Sequence, residues 1–256
     1  VDDEWGYQSI NTGNVPVTNL DYFGSEISTL PELDGDGSPE SMDEVWEAIR
    51  IQVAEIASGV KEDFTFLCPE PGFPPSFPVS DIGWEFQYYF PVDEQMWNST
   101  SPLNTIFKID ASASNSFLDL IADKGSVMVA QNTECCFIVC SVESPFARTQ
   151  PYAGNRQWGY KINAQGKMEV YTKAIDIARR SPGISYFPQL IPGCQMMTYY
   201  AIADVTWLNF QNKVKNFIED TGGAATVLER KVVRLNNEYI RELLESSVPI
   251  NFVPCD

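Results

Sequence analysis

The sequence predicts a mainly β fold, and three observations carry that prediction. From Ile82 onward, stretches rich in aromatic and β-branched residues alternate with clusters of Gly, Pro, Ser and Asn, the pattern of strands separated by turns. The segment QWGYKINAQGKMEVYTK sets Trp158, Tyr160 and Ile162 at alternate positions before Ala164-Gln165-Gly166, and Met168, Val170 and Thr172 at alternate positions after it. Period two on both sides of a short glycine-containing turn specifies a hairpin and its register. Clear helical periodicity is confined to two segments, one toward each end of the chain. The expected architecture is two packed antiparallel sheets of sandwich or jelly-roll type, with a helix near 41–58 and another near 226–246.

Taken in order, residues 1–40 are polar and punctuated by glycine and proline, from Gly13 and Pro16 to Gly37 and Pro39. They read as an extended arm or loop with room for one short strand. At Ser41 the pattern changes. Met42, Val45, Trp46, Ile49, Val53 and Ile56 recur at three- and four-residue steps, which predicts a helix over 41–58 with its Trp46 face buried. Ser41 and Glu44 have the spacing of a reciprocal cap, and Gly59 can supply the left-handed residue that ends the helix.

Residues 68–80, CPEPGFPPSFPVS, hold five prolines. Such a segment is excluded from helix interiors and central strands, so a rigid crossover loop whose Phe73 and Phe77 plug the core is expected. It also marks the expected division into an arm, helix and crossover over 1–80 and a main β domain over 81–256, together one structural unit. Strands are expected within Trp84–Val92, Thr105–Ala111, Ser126–Val142, Gln157–Lys173 and Gln195–Phe210. Leu228, Val232, Leu235, Tyr239 and Leu243 then share one helical stripe, although Val232-Val233 leaves room for a strand in the first half of that helix.

Composition narrows the function. The 256 residues carry 17 Lys and Arg against 35 Asp and Glu, a formal charge of −18. That surface repels phosphate backbones and anionic headgroups, so direct nucleic-acid binding is not expected. The longest apolar run, Cys135–Val142, is far short of the roughly 20 residues of a membrane helix, so membrane insertion is not expected either. Val1 opens the sequence without methionine, which reads as a processed or trimmed end. Of six cysteines, 135, 136 and 140 read as free thiols in a core strand, while 68, 194 and 255 sit in loop-like settings that suit disulfides. No pair of Cys-x-x-Cys spacings exists, which argues against zinc.

There is no histidine, so serine or cysteine nucleophiles paired with histidine, imidazole metal ligands and histidine general bases are all excluded. Ser58 and Lys61 match a bare Ser-x-x-Lys spacing, but Ser58 closes its helix where acyl-transfer serines open theirs. The string ELDGDGSPESMDE offers oxygen ligands for a hard cation, with Asp34, Asp36, Asp43 and Glu44 as the calcium candidates. A solvated acidic loop whose carboxylates favour the following helix N-terminus is the plainer reading. Asp81 and Glu85 beside Trp84, Tyr88 and Trp97 could furnish a carbohydrate-binding or glycosidic cleft, which needs carboxylates and no histidine. Asn98-Ser99-Thr100 is an N-glycosylation acceptor.

The functional expectation is a non-enzymatic structural or recognition protein. It would act through surface contacts with protein partners as a homo- or hetero-oligomer, in an extracellular or virion-surface assembly of capsid or projection type. The alternative is a secreted carboxylate-dependent glycoside hydrolase or carbohydrate-binding module. Calcium is the one cofactor the sequence leaves open.

Overall fold

The computed structural model describes residues 5–13, 16–59, 64–67, 76–79, 81–115, 118–147, 150–179 and 192–245. Strands β1 (Gly6–Tyr7) and β2 (Val17–Thr29) precede helices α1 (Met42–Ile51) and α2 (Val53–Ile56). β3 (Phe64–Leu67) and β4 (Ser76–Val79) form a two-stranded ladder. Next come β5 (Asp81–Tyr88), α3 (Pro91–Trp97), β6 (Ile106–Asn115), β7 (Leu118–Asn132), β8 (Cys136–Glu143), β9 (Tyr152–Ile162) and β10 (Met168–Ala178). The long helix α4 (Pro192–Asp220), β11 (Ala224–Val227), β12 (Lys231–Asn236) and α5 (Asn237–Glu245) follow.

The expected mainly antiparallel β class is what the structure shows. Ten strands share one sheet in the order β11-β2-β10-β9-β8-β7-β6-β5, with β12 also on β2 and β1 on β8. The layer packed on its inner face is helical: the buried cluster joins residues of α1, α2 and α4 to those of the strands.

The sheet is strongly curled. β5 and β9 lie four strand spacings apart, about 19 Å in a flat sheet at the usual inter-strand distance. Yet Trp84 of β5 and Trp158 of β9 both reach the indole of Trp207 on α4, with ring centroids 6.2 and 5.7 Å away. The strands therefore wrap round α4 and bring their inward side chains onto one helix. Gln211 fastens that helix to β2, its side-chain amide donating to the carbonyl of Gly24 at 2.5 Å while its backbone carbonyl accepts from the Ser25 hydroxyl.

Local chemistry explains the elements read correctly from the sequence. Ser41 and Glu44 form the reciprocal cap of α1, and Gly59, at φ +70°, follows α2. The β9–β10 hairpin pairs Trp158 with Thr172, Tyr160 with Val170 and Ile162 with Met168, the register that alternation specified. In 226–246 the helix occupies Asn237–Glu245, and the strand that Val232-Val233 allowed occupies Lys231–Asn236.

Three local readings need correction. Residues 17–29, read within an arm with room for a short strand, form a thirteen-residue strand paired along its length with β10. Residues 195–210, read as strand, lie inside α4. Its buried residues Tyr200, Ala203, Trp207, Phe210, Val214 and Ile218 recur at three- and four-residue steps, and burial on this stripe outweighs the local β preference of its aromatic and β-branched residues. Cys135, Cys136 and Cys140 are free as expected, but Cys135 is exposed and the other two are half-buried; Phe137 and Val139 take the core side of β8 instead. Cys68 and Cys255 and most of the proline-rich segment lie outside the described residues, as does the side chain of Cys194.

Candidate ligand cavity

Along β10 the side chains alternate between an exposed Ile175 and an inward pair, Ala174 and Asp176. The neighbouring strands direct Asn19 and Asp21 from β2 and Arg156 and Trp158 from β9 to the same inner face. Asp176 pairs across the ladder with Gly154, where glycine is required by close approach: a Cβ there would stand 2.2 Å from the Ile175 carbonyl oxygen and 2.8 Å from the Asp176 Cβ.

Between this floor and α4 lies a cavity that is partly open to solvent. Trp84, Phe86, Tyr152, Trp158 and Trp207 supply aromatic walls, and Ile109, Val127, Val139 and Ala203 supply aliphatic ones. Lys124, which is exposed, stands at its margin. The mixture of apolar wall with a few polar groups is that of small-molecule sites.

The polar groups are unevenly satisfied. Arg156 is held in a fork by Asp21, with nitrogen–oxygen distances of 3.0 and 2.7 Å, and also donates to Thr172 Oγ1 at 3.1 Å. Its guanidinium lies 3.8 Å from the centre of the Trp207 ring. Arg234 pairs with Asp204 at 2.7 Å and donates to Asn19 at 3.3 Å. Asp176 receives one long hydrogen bond, 3.4 Å, from Asn19 to Oδ2, while its Oδ1 is buried and makes no hydrogen bond to the protein. The indole N–H groups of Trp84 and Trp158 are likewise buried without a protein acceptor. Burial, and then the charge of Asp21, push the Asp176 carboxyl up to about 7, against the pull of Arg156. Burial also raises Asp204 despite its pairing with Arg234.

Of the residues singled out in the sequence, Trp84 forms part of this cavity. Its chain neighbour Glu85 is exposed on the opposite side of the strand, as alternation requires. Tyr88 packs at the margin of the core with its ring centroid 5.3 Å from that of Phe107. Trp97 is fully buried away from the cavity lining, with Nε1 donating to the Arg50 carbonyl at 3.1 Å. The side chain of Asp81 lies outside the described residues. The five residues of the carbohydrate reading are therefore not gathered into one cleft by those that are described.

Asp34 and Asp36 join Glu32 in an exposed trio whose carboxylate oxygens lie within 4.8 Å of one another. Asp43 instead accepts the Tyr160 hydroxyl, and Glu44 is engaged by Ser41 in the helix cap. Asn98 is exposed at the end of α3. Among the described residues no helix is long and apolar enough to cross a membrane. Sequence reading missed Arg156, Asp176 and Trp207; the signals present were the inward alternation of β9 and β10 and the three–four spacing of α4.

No protein-family model matches the chain, and no curated protein matches it in sequence. Among solved structures it is similar to protein NE0264 from Nitrosomonas europaea, at 12% identity over 77% of this chain and 96% of that one, with a TM-score of 0.31. That score is too low to carry any property across. The class defined by the structure itself is a mainly antiparallel β protein whose single large sheet curls round a long helix over an internal cavity.

Proposed function

We propose that this chain is a non-enzymatic binding protein that holds a small, mainly apolar ligand between the curled sheet and α4. One observation carries the reading: an aromatic and aliphatic cavity into whose walls are set three buried polar atoms, on Trp84, Trp158 and Asp176, that bond to nothing in the protein. Protein interiors are otherwise close-packed, and each buried polar group left unmatched costs about 1–3 kcal/mol. A ligand with complementary groups relieves both deficits. This reading shares non-enzymatic recognition with the expectation from the sequence, but replaces surface contact with protein partners by an internal ligand site.

Hydrolysis of a glycoside is less well supported by the same cavity. That chemistry needs two carboxyl groups flanking the scissile bond, and Asp176 is the one acid on the wall among the described residues.

The test uses N-phenyl-1-naphthylamine, an uncharged fluorophore that brightens in apolar surroundings. Titration is expected to saturate at one site per chain, and Ala174→Phe, which fills the cavity from its floor, is expected to abolish binding with the circular dichroism spectrum unchanged. Binding that never saturates, or that survives Ala174→Phe, would sink the proposal.

A further inference from the structure

Building on the cavity reading above, we propose that the ligand is a small ring-bearing molecule with one protonated amine, seated with its ammonium group against the Asp176 carboxylate. The charges lining this end of the fold point to it. Three carboxylates, Asp21, Asp176 and Asp204, face the guanidiniums of Arg156, Arg234 and the exposed Arg230, and it is Asp21 and Asp204 that take all three. Asp21 occupies both terminal nitrogens of Arg156, and Asp204 takes Arg234 on one oxygen and, at 3.8 Å, Arg230 on the other. The third carboxylate is left with the long bond from Asn19, and it is this one, 9% exposed, that lines the cavity.

Charged and titratable groups face this end of the cavity from each neighbouring element, Arg230 among them through Asp204. β2 presents Asn19 and Asp21, β9 presents Arg156, α4 presents Tyr200 and Asp204, and β12 presents Arg234. Tyr200 donates its hydroxyl proton to the Val17 carbonyl and accepts from the Ala178 amide, so it is engaged elsewhere. Lys124 stands at the mouth with its ammonium 4.7 Å from the Phe146 ring centre.

An anionic ligand could use the indole N–H groups of Trp84 and Trp158, but it would set like charge beside Asp176 and could reach a guanidinium only by displacing Asp21 from a buried fork. A neutral ligand leaves the carboxylate unpaired. A cation supplies the missing partner and meets the aromatic walls, whose ring faces attract positive charge. The chain's net charge of −18 also draws cations toward any opening.

The experiment is displacement of bound N-phenyl-1-naphthylamine at pH 8 by three compounds of matched size: 2-phenylethylamine, 2-phenylethanol and 3-phenylpropionate. The amine is expected to compete at least tenfold better than the alcohol, the acid worst of all, and Asp176→Asn is expected to erase the gap between amine and alcohol. Should that variant fail to fold, the wild-type protein decides by pH. Its affinity for the amine is expected to fall as pH drops below about 7, where Asp176 takes up its proton, while its affinity for the alcohol holds level. Equal competition by amine and alcohol, preference for the acid, or a flat pH profile for the amine overturns this inference, yet leaves the cavity reading intact as long as the fluorophore binds. Failure of the fluorophore itself overturns both.

Discussion

At one end of the inner sheet face, Trp46, Trp97, Phe107, Phe137 and Trp158 pack ring on ring, with Trp97 edge-on to Phe107 and Phe137 at 5.1 and 4.9 Å. At the other end, Asn19, Asp21, Arg156, Thr172, Asp176 and Asp204 fill comparable space with polar atoms. The first end is saturated except where the indole N–H of Trp158 meets the cavity: Arg50, the charged residue beside it, bonds Glu47 and the Trp97 carbonyl and lies 4.9 Å from the Trp97 ring centre. The second is saturated everywhere except at the cavity wall. Apolar packing tolerates no vacancy cheaply, whereas a polar network can leave one member open, at a cost, until something outside the chain completes it. The difference between the ends thus separates the part of the fold that holds it together from the part available for binding.

The comparison can be broken most severely by removing one large side chain from each end. Arg156→Ala leaves Asp21 charged and buried without its fork and strips the cation from Trp207; a loss of about 3–5 kcal/mol is expected. Trp97→Ala opens a hole in the aromatic end, and a loss of about 3–5 kcal/mol is expected there too. Urea denaturation at two pH values tells them apart. The Trp97→Ala penalty should be the same at pH 5 and pH 8, while the Arg156→Ala penalty should be smaller at pH 5, where protonation of Asp176 lightens the negative charge that Arg156 offsets. Equal pH dependence in both variants would mean the two ends are not electrostatically distinct.

Next in size is the contribution of Asp176 itself. Burial, and then the charge of Asp21, push its carboxyl from the ordinary 3.8 up to about 7 in the folded protein. Between those values the folded chain holds a proton that the unfolded chain has released, so stability falls as pH rises through that window, by roughly 1.4 kcal/mol for each unit crossed. Above pH 7 both states are ionised and the slope ends. Asp176→Asn removes the titration, so the difference in unfolding free energy between variant and wild type should move in the variant's favour from about pH 4 to pH 7 and then level off. A difference independent of pH would show that Asp176 does not titrate in this range.

What the sequence made legible depended on whether the determining chemistry was local. The cap of α1 involves residues three apart, Ser41 and Glu44, and the β9–β10 hairpin is set by alternation across one turn, so both were readable. Strand β2 was obscured because its inward residues include Asn19, Asp21 and Ser25, polar side chains that suggest a loop until their partners are known. Those partners lie on β9, β10, β12 and α4; Asn19 and Asp176, for example, are 157 residues apart. Helix α4 hid behind Tyr, Val, Thr, Trp and Phe, residues chosen for burial against a curled sheet, although its three–four spacing was present. Trp84 was singled out for stacking on a sugar and does line a cavity, but the acid there is Asp176, from a strand 90 residues onward that no local motif joins to it.

The smallest effect sharpens the comparison most finely. Thr172 is fully buried at the polar end, where its hydroxyl donates to the Gln157 carbonyl at 3.1 Å and accepts from Arg156. Valine has nearly the same shape, so Thr172→Val removes the hydrogen bonds and leaves the packing in place. The charged donor on Arg156 then has one acceptor fewer, and a loss of about 1–2 kcal/mol is expected by urea denaturation. Val170, two residues along the same inner row and buried among apolar neighbours, provides the converse: Val170→Thr keeps the shape and buries a hydroxyl where the aromatic end begins, at a similar expected cost of about 1–3 kcal/mol. If each substitution costs what its own end dictates, the boundary between the packed and the polar halves of this face lies between these two residues of β10. Were Thr172→Val neutral, Arg156 would be held by Asp21 and Trp207 alone, and the boundary would move one step toward Asp176.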